Sequence, residues 1–235
     1  MKRLLIIFSL FLATALQAKE SILVYDIRHN KVVVEQDSSQ QRPLASITKL
    51  MTAIVALELG VDDRYLIDTM LVQSNNKSAE AIAATYGRDK FIQVMNFKAR
   101  QLGMSNTRFV DPSGLGMNVS TAEDVALLIA YAMKFDEIRA ASHPTVQTVM
   151  PKGKRAHLAL LQNTNYNLLT QFTHVTVSKT GFTNAAGWCV ALSTPEHIIV
   201  VLGSKSKAAR YDLAKKLIQD HTMATRPKQI DLAFL

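Results

Sequence analysis

The chain has 235 residues, of which 48% are hydrophobic and 20% are charged, and its formal net charge is +8. This length can bury one substantial core or two small lobes that share one, and no segment is repetitive or of low complexity. The single cysteine, Cys189, excludes an internal disulfide, so packing alone must stabilise the fold. The basic charge favours an acidic partner, although the lysines near the end of the chain are also typical of a solvated helix face.

The first residues are predicted to be a targeting signal rather than part of the fold. Lys2 and Arg3 precede an apolar run over residues 4–12, and small residues follow this run. The run is too short for a comfortable transmembrane helix, so we expect export, with cleavage after Ala18 or alternatively after Ala15. An uncleaved membrane anchor is the less favoured alternative. The expected organisation is a signal peptide over 1–18 and a single domain over 19–235.

Strand patterns occur towards both ends of the chain. Segments rich in β-branched and apolar residues predict a hairpin from 22–27 and 32–35, then strands over 145–150, 175–179, 188–193 and 198–202. The last strand is apolar throughout, which predicts that both faces of the sheet are covered.

Helical periodicity fills the middle of the chain. Helices are predicted from Ser46 to Gly60 and over 65–72, 78–87, 89–102 and 208–219, together with one that follows a capping box at 120–123 and ends at Met133. The resulting fold class is α+β. We expect a mainly antiparallel sheet built from both chain ends and flanked by helices, with a helical lobe over roughly 60–140.

The segment after the N-terminal hairpin contains a candidate nucleophile. Ser46 opens an apolar helix and Lys49 follows three residues later, so both side chains emerge on one helical face. A serine hydroxyl needs a neighbouring base to take its proton, and a lysine is such a base only if burial or another cation keeps it neutral. Ser-x-x-Lys also begins at Ser74 and Ser204, but only the first match opens a run typical of a buried helix. The alternative is a lysine that merely extends from the core to solvent.

Two later patterns also suggest a site. Ser74 and Asn76 lie at a predicted helix break, where side chains can project into a cleft, although taken alone such a triplet is more often an ordinary cap or turn. Lys179 ends the apolar face of a predicted strand, which indicates that this end of the strand borders a cleft. There Thr180 offers a hydroxyl, and Gly181 permits close approach of a ligand backbone.

In this order and with these flanks, Ser46-x-x-Lys49, Ser74-x-Asn76 and Lys179-Thr180-Gly181 resemble the motifs of the penicillin-binding serine peptidases. Segments 43–53, 102–115, 163–165 and 179–187 resemble the low-molecular-mass D-alanyl-D-alanine carboxypeptidases, above all their endopeptidase branch. The resemblance covers nearly all of the chain after the signal. It implies the penicillin-binding and β-lactamase-like fold, with one catalytic DD-peptidase domain over 19–235.

The same resemblance implies catalytic roles. Ser46 would be the nucleophile that forms an acyl-enzyme, Lys49 would take its proton, and Ser74 would relay a proton towards the leaving amine. The backbone N–H groups of Ser46 and Phe182 would form the oxyanion hole.

It also implies how substrate is bound. Asn76 would hold the substrate amide, and the strand residues Thr180, Gly181 and Phe182 would line the binding cleft. Lys179 would hold the substrate carboxylate and, by like-charge repulsion, help to keep the catalytic lysine neutral.

The implied reaction is hydrolysis of D-alanyl bonds in peptidoglycan, either at a D-Ala-D-Ala end or at a D-Ala-diaminopimelate cross-link. β-Lactam antibiotics would acylate the same serine. The implied location is the periplasm, with no stable membrane anchor after signal cleavage and no nucleic acid partner. We expect no metal and no other cofactor, because the six histidines show no paired ligand spacing. Gly-x-Ser-x-Gly is also absent, so a Ser/His/Asp hydrolase has no local support.

One departure from the family keeps other functions open. Ser46 and Ser74 are connected by a shorter segment than family members usually have, so an antiparallel helix pair must close the site within this length. A wall-binding protein or β-lactam sensor of the same fold without turnover is therefore the alternative function. A β-lactamase is a third and weaker option. The residues alone do not separate carboxypeptidase from endopeptidase activity.

Overall fold

The computed structural model describes residues 20–61, 63–149 and 158–222. The predicted signal peptide over 1–18 and a predicted turn at 151–153 lie outside this part of the chain. Among the helices described, none combines the length and apolar character that crossing a bilayer requires.

The strands form one main sheet and two small ribbons. They are β1 (Ser21–Asp26), β2 (Lys31–Gln36), β3 (Arg42–Pro43), β4 (Val119–Ser120), β5 (Val146–Val149), β6 (Ala159–Gln162), β7 (Val177–Thr183), β8 (Gly187–Ser193) and β9 (His197–Ser204). The main sheet has the order β2-β1-β9-β8-β7 and is antiparallel at every step. The predicted sheet built from both chain ends is therefore confirmed, with β7 at one edge.

The helices form a lobe in mid-chain and one layer at the C-terminal end. They are α1 (Thr48–Glu58), α2 (Arg64–Val72), α3 (Asn76–Tyr86), α4 (Arg88–Gln101), α5 (Ala122–Ala132), α6 (Asp136–Ser142), α7 (Tyr166–Leu169) and α8 (Lys207–Thr222). The first nine residues of α1 are buried, as expected for a helix surrounded by others. The N-caps Asp63, Asn75 and Thr121 accept hydrogen bonds from the next turn and fix where α2, α3 and α5 begin.

The central strand β9 packs against helices on both faces of the main sheet. Ile198, Val200 and Leu202 belong to the apolar cluster that includes α1 and α5. Ile199 and Val201 alternate with them and belong to a second cluster, which includes α8. The predicted burial of this strand on both faces is confirmed.

Three details of the sequence prediction are wrong. Strand β7 begins at Val177 rather than Val175 and continues to Thr183, because residues 180–183 also pair with β8. The cap of α5 is Thr121, which accepts from the backbone N–H of Asp124, one residue later than predicted. Helices α6 and α7 and strand β6 were not predicted, since each is seven residues or shorter and carries little periodic signal.

Candidate active site

The candidate nucleophile lies immediately before α1, in a 3-10 turn over Ala45–Ile47. The Oγ of Ser46 and the Nζ of Lys49 are 2.7 Å apart, so the predicted contact between these side chains is present. Ala45 has a φ of +46°, a left-handed conformation that costs a non-glycine residue about 1–2 kcal/mol. This strained turn, rather than the regular helix that was predicted, orients the serine.

Lys49 is fully buried, yet its amine has three oxygen neighbours. Besides Ser46 Oγ, these are Asn76 Oδ1 at 2.7 Å and the backbone oxygen of Ser113 at 2.5 Å. Burial lowers the pKa of Lys49 to about 8, while the charges of Asp111 and Glu80 act in the opposite direction. About one-tenth of this amine is therefore neutral at pH 7.

The loop between α4 and β4 carries the Ser113 oxygen and is fixed by one carboxylate. Asp111 Oδ1 accepts hydrogen bonds from the backbone N–H groups of Ser113 and Gly114, and Oδ2 accepts one from Gly116. Burial alone would raise the pKa of Asp111, but these hydrogen bonds outweigh burial and the net pKa is lowered. The ionised carboxylate therefore holds the loop in its bent conformation.

Close packing joins this loop to the strained turn. Gly114 has a φ of +87°, and a Cβ there would lie 1.9 Å from the backbone oxygen of Ala45, so only glycine fits. Asn118 donates to Thr48 Oγ1 at 2.9 Å and accepts from the backbone N–H of Asp111. The loop and the start of α1 thus form one rigid unit around Lys49.

Ser74 lies between α2 and α3 and Asn76 is the first residue of α3, where a helix break was predicted. Ser74 has a φ of +61°, and Asn75 caps α3 by accepting from the backbone N–H of Ser78. Since Asn76 begins α3, its side chain reaches the amine of Lys49. The short connection between α1 and α3, which contains α2, is therefore long enough to bring these groups together.

Lys179 lies in the edge strand β7 and points into the protein. It is 1% exposed and its Nζ is 3.0 Å from Ser74 Oγ. The prediction that the strand ends at this residue is wrong, because the strand continues to Thr183. The prediction that this end of the strand borders a cleft is confirmed, since the next residues of β7 line a cavity beside Ser46, although the amine of Lys179 is itself enclosed. A Cβ at Gly181 would lie 2.9 Å from the backbone nitrogen of Ser46, so this glycine allows β7 to approach the nucleophile.

Like-charge repulsion acts between the two buried lysines. Burial is the main cause that lowers the pKa of Lys179 well below its usual value, followed by the charges of Lys49 and Arg210. For Lys49, burial is the main cause of the lowered pKa. That repulsion by Lys179 also helps to keep Lys49 neutral stays a prediction.

A cavity of about 320 Å³ opens onto these groups. Its walls include Ser46 and Ser74 together with the β7 residues Thr180, Gly181 and Phe182, all of which were predicted site residues. Lys49 and Lys179 are fully or almost fully buried and contact the serines.

Four further residues line this cavity, and the sequence analysis assigned none of them a role. Thr164 accepts a hydrogen bond from Thr180 Oγ1 at 2.8 Å. Trp188 stacks on Phe182 with ring centroids 4.2 Å apart, and the guanidinium of Arg210 lies 5.6 Å from the centre of the Trp188 ring. The fourth is Lys207. Thr164 lies within a segment that carries the family resemblance, whereas Arg210 and Lys207 belong to a helix whose face was interpreted only as solvated.

Residues 20–61, 63–149 and 158–222 contain no group of three or more His, Cys, Asp or Glu side chains that could hold a metal ion. The buried Cys189 has a pKa raised to about 11, mainly by burial, so its thiol stays protonated.

Curated proteins with similar sequences are D-alanyl-D-alanine peptidases. The D-alanyl-D-alanine endopeptidase of Escherichia coli strain K12 is 33% identical over 209 residues, which cover 75% of this chain and 67% of the relative. The D-alanyl-D-alanine endopeptidase of Haemophilus influenzae is 30% identical, with 91% of this chain and 85% of the relative covered.

Solved structures with similar folds are penicillin-binding proteins. Penicillin-binding protein D2 from Listeria monocytogenes, determined with bound cefotaxime, superimposes with a TM-score of 0.75 at 27% identity and covers 85% of this chain and 95% of that one. The Streptomyces K15 DD-transpeptidase has a TM-score of 0.79 at 23% identity, with the same coverage of both chains, and supports the fold alone. The predicted penicillin-binding fold is thereby confirmed.

The family assignment follows from a match along most of the chain. The sequence model of the peptidase S11 family, described as D-alanyl-D-alanine carboxypeptidase, matches residues 11–64 and 58–206. The chain belongs to the peptidase S11 family of D-alanyl-D-alanine carboxypeptidases, and it is a serine-type peptidase.

Proposed function

We propose that this protein hydrolyses D-alanyl peptide bonds of peptidoglycan through an acyl-enzyme on Ser46. The observation that carries this proposal is the 2.7 Å contact between Ser46 Oγ and the buried amine of Lys49. The pKa of about 8 makes this amine both available as a base at neutral pH and able to return the proton. The family and its named relatives support the substrate class.

Acylation begins when Lys49 takes the hydroxyl proton. A neutral amine has two N–H donors and one lone pair. Asn76 Oδ1 and the backbone oxygen of Ser113 accept the two N–H groups, which leaves the lone pair for the proton of Ser46. The Oγ atom then attacks the D-alanyl carbonyl carbon and forms a C–O bond, while the carbonyl oxygen becomes an oxyanion.

The oxyanion is stabilised by the backbone N–H groups of Ser46 and Phe182. Each such donor is typically worth about 3 kcal/mol in the transition state. The close approach that Gly181 allows between β7 and the nucleophile supports this pairing.

Collapse of the intermediate breaks the C–N bond and requires a proton on the leaving amine. Ser74 relays to the leaving nitrogen the proton that Lys49 took from Ser46, so Lys49 is neutral again, and Ser74 Oγ is positioned by the amine of Lys179 at 3.0 Å. A water molecule then gives a proton to Lys49 and attacks the ester carbonyl. Lys49 returns this proton to Ser46 Oγ as the ester C–O bond breaks.

A cationic end of the cleft holds the carboxylate beside the scissile bond. Lys207 and Arg210 line the cavity and supply positive charge there, Thr180 supplies a hydroxyl, and the buried amine of Lys179 lies next to Ser74. A bound carboxylate would raise the pKa of Lys179 and so oppose the lowering by burial. On the acyl side, Asn76 uses its Nδ2 group to hold the substrate amide.

The proposed setting is the periplasm, reached through the predicted signal peptide. Peptidoglycan stems carry many carboxylates, and the chain has a net charge of +8, which favours their association. β-Lactams are expected to acylate Ser46, in keeping with the cefotaxime bound to the similar Listeria protein.

The test is product analysis with two peptide substrates. Purified protein is incubated with D-Ala-D-Ala pentapeptide and with cross-linked muropeptides, and the products are separated by chromatography. We expect D-alanine release or cross-link cleavage from the wild type and from Ser39→Ala, an exposed control serine, but none from Ser46→Ala. Acylation by penicillin without any product from either substrate would contradict the proposal and favour the sensor alternative.

A further inference from the structure

A second cavity of about 700 Å³ adjoins the catalytic cleft. It is lined by residues 162–167 and by the first turn of α8. Thr164, Lys207 and Arg210 line both cavities, whereas Ser46 and Ser74 line only the first. The second cavity therefore continues the cleft on the side away from the nucleophile.

The lining of this cavity is polar and cationic. Lys207 and Arg210 contribute positive charge, and no Asp or Glu is among the lining residues. Three asparagine side chains add amide groups. The buried Nδ2 of Asn165 has no hydrogen-bond partner among the described residues, which is costly for an amide donor. This chemistry suits a ligand with carboxylates and peptide carbonyls rather than an apolar one.

The cavity lies on the leaving-group side of the scissile bond in the proposed mechanism. The carboxylate of the leaving residue is held at Thr180, and Thr180 Oγ1 donates to Thr164 Oγ1 at 2.8 Å. Thr164 is therefore the boundary between the carboxylate position and the second cavity. Whatever extends from the leaving residue beyond its carboxylate enters this space.

We propose that this cavity is a leaving-group subsite for the acidic peptide that continues from the leaving amine of a cross-linked substrate. This inference rests on the proposed function. A terminal D-alanine has only a methyl group beside its carboxylate and uses none of the second cavity. In a cross-link, the leaving residue bears a longer side chain that leads into another stem peptide, and a volume of about 700 Å³ lies in the range of ligand-binding pockets.

The subsite predicts a preference for cross-linked over terminal substrates that arises from binding alone. Lys207 and Arg210 attract the additional carboxylates, and the asparagine amides among the lining residues suit the peptide carbonyls. Both substrates share the same contacts at Ser46 and along β7. A change confined to the second cavity therefore affects the cross-linked substrate and spares the terminal one.

The test measures binding without turnover. Isothermal titration of the Ser46→Ala protein gives the Kd of a cross-linked peptide dimer and of the D-Ala-D-Ala pentapeptide. We expect the dimer to bind at least tenfold more tightly. Ala208→Trp, added to this protein, fills the subsite from an exposed position. It should remove the tighter binding of the dimer and change the Kd of the pentapeptide by less than twofold. The control Ala84→Trp, at an exposed position on α3, should change neither Kd.

A second variant covers the case in which the tryptophan disturbs folding. Asn167→Asp places a carboxylate in the subsite with little change of shape and should weaken dimer binding several-fold, with pentapeptide binding unchanged. Equal affinity of the Ser46→Ala protein for both peptides, or equal loss of both in these variants, would overturn the subsite. Failure of the proposed function is seen separately, as absence of product from both substrates with the protein that retains Ser46.

Discussion

Acylation by penicillin should depend on pH with a midpoint near 8, because only neutral Lys49 can accept the serine proton. With a pKa of about 8, about half of the amine is neutral at pH 8, about one-tenth at pH 7 and about one-hundredth at pH 6. Because the neutral form of Lys49 is the reactive one, the acylation rate rises with pH and becomes constant above about pH 9. A lysine with its usual pKa near 10.5 would be about 300-fold less neutral at pH 7.

The charge of Glu80 offers a direct test that the midpoint reports the pKa of Lys49. Glu80 raises the pKa of Lys49, although it lies on α3 and pairs with Arg88 at 2.8 Å rather than with the catalytic groups. Glu80→Gln should therefore move the midpoint of the rate profile to lower pH and increase the rate at pH 7. Glu35→Gln, an exposed change on β2, is the matched control and should leave the profile unchanged.

The assay is stopped-flow measurement of the acylation rate constant between pH 5.5 and 10.5, with folding checked by circular dichroism at each end. A midpoint close to 10.5, a profile without pH dependence, or a shift of the Glu80→Gln midpoint to higher pH would refute the assignment of Lys49 as the neutral base.

Three further substitutions test separate parts of the account. Lys49→Arg keeps the charge but supplies no proton acceptor, so the acylation rate should fall at least about 10³-fold. Circular dichroism should show that the variant is folded. An acylation rate close to that of the control Lys90→Arg would count against a lysine base. Gly181→Ala should slow acylation about 10²-fold by displacing β7 from the nucleophile. The control Gly60→Ala, at a residue with a φ of +71° and no atoms near the added Cβ, should lower only the free energy of unfolding, by about 1 kcal/mol. Equal acylation rates of the two variants would contradict the close approach of β7 to Ser46. Arg210→Gln should raise the KM for D-alanine release about tenfold or more with little change in kcat, and an unchanged KM would exclude a carboxylate contact.

Local pattern was sufficient to predict the contact between Ser46 and Lys49. The two residues are close in sequence, and an apolar run next to them predicted burial of the amine. A sheet built from both chain ends and covered on both faces was also predictable, since strand patterns occur towards both ends and β9 is apolar throughout. These features depend on periodicity and short-range spacing, which a sequence carries directly.

Features set by tertiary pairing were not predictable in the same way. Residues 180–183 carry a weak strand pattern of their own and are extended because they pair with β8, which encloses Lys179 instead of leaving it at a strand end. The backbone oxygen of Ser113 has no sequence signature, and it reaches the amine of Lys49 only because Gly114 packs on the strained turn. Arg210 joins the cleft from a helix at the opposite end of the chain.

Identification of the acylated residue tests the central claim most directly. The protein is incubated with penicillin, its intact mass is measured, and the adduct is mapped by peptide mass spectrometry. The account predicts one adduct per chain, located on Ser46, and none on folded Ser46→Ala protein. An unmodified wild-type chain, or an adduct located on any other residue, would contradict it.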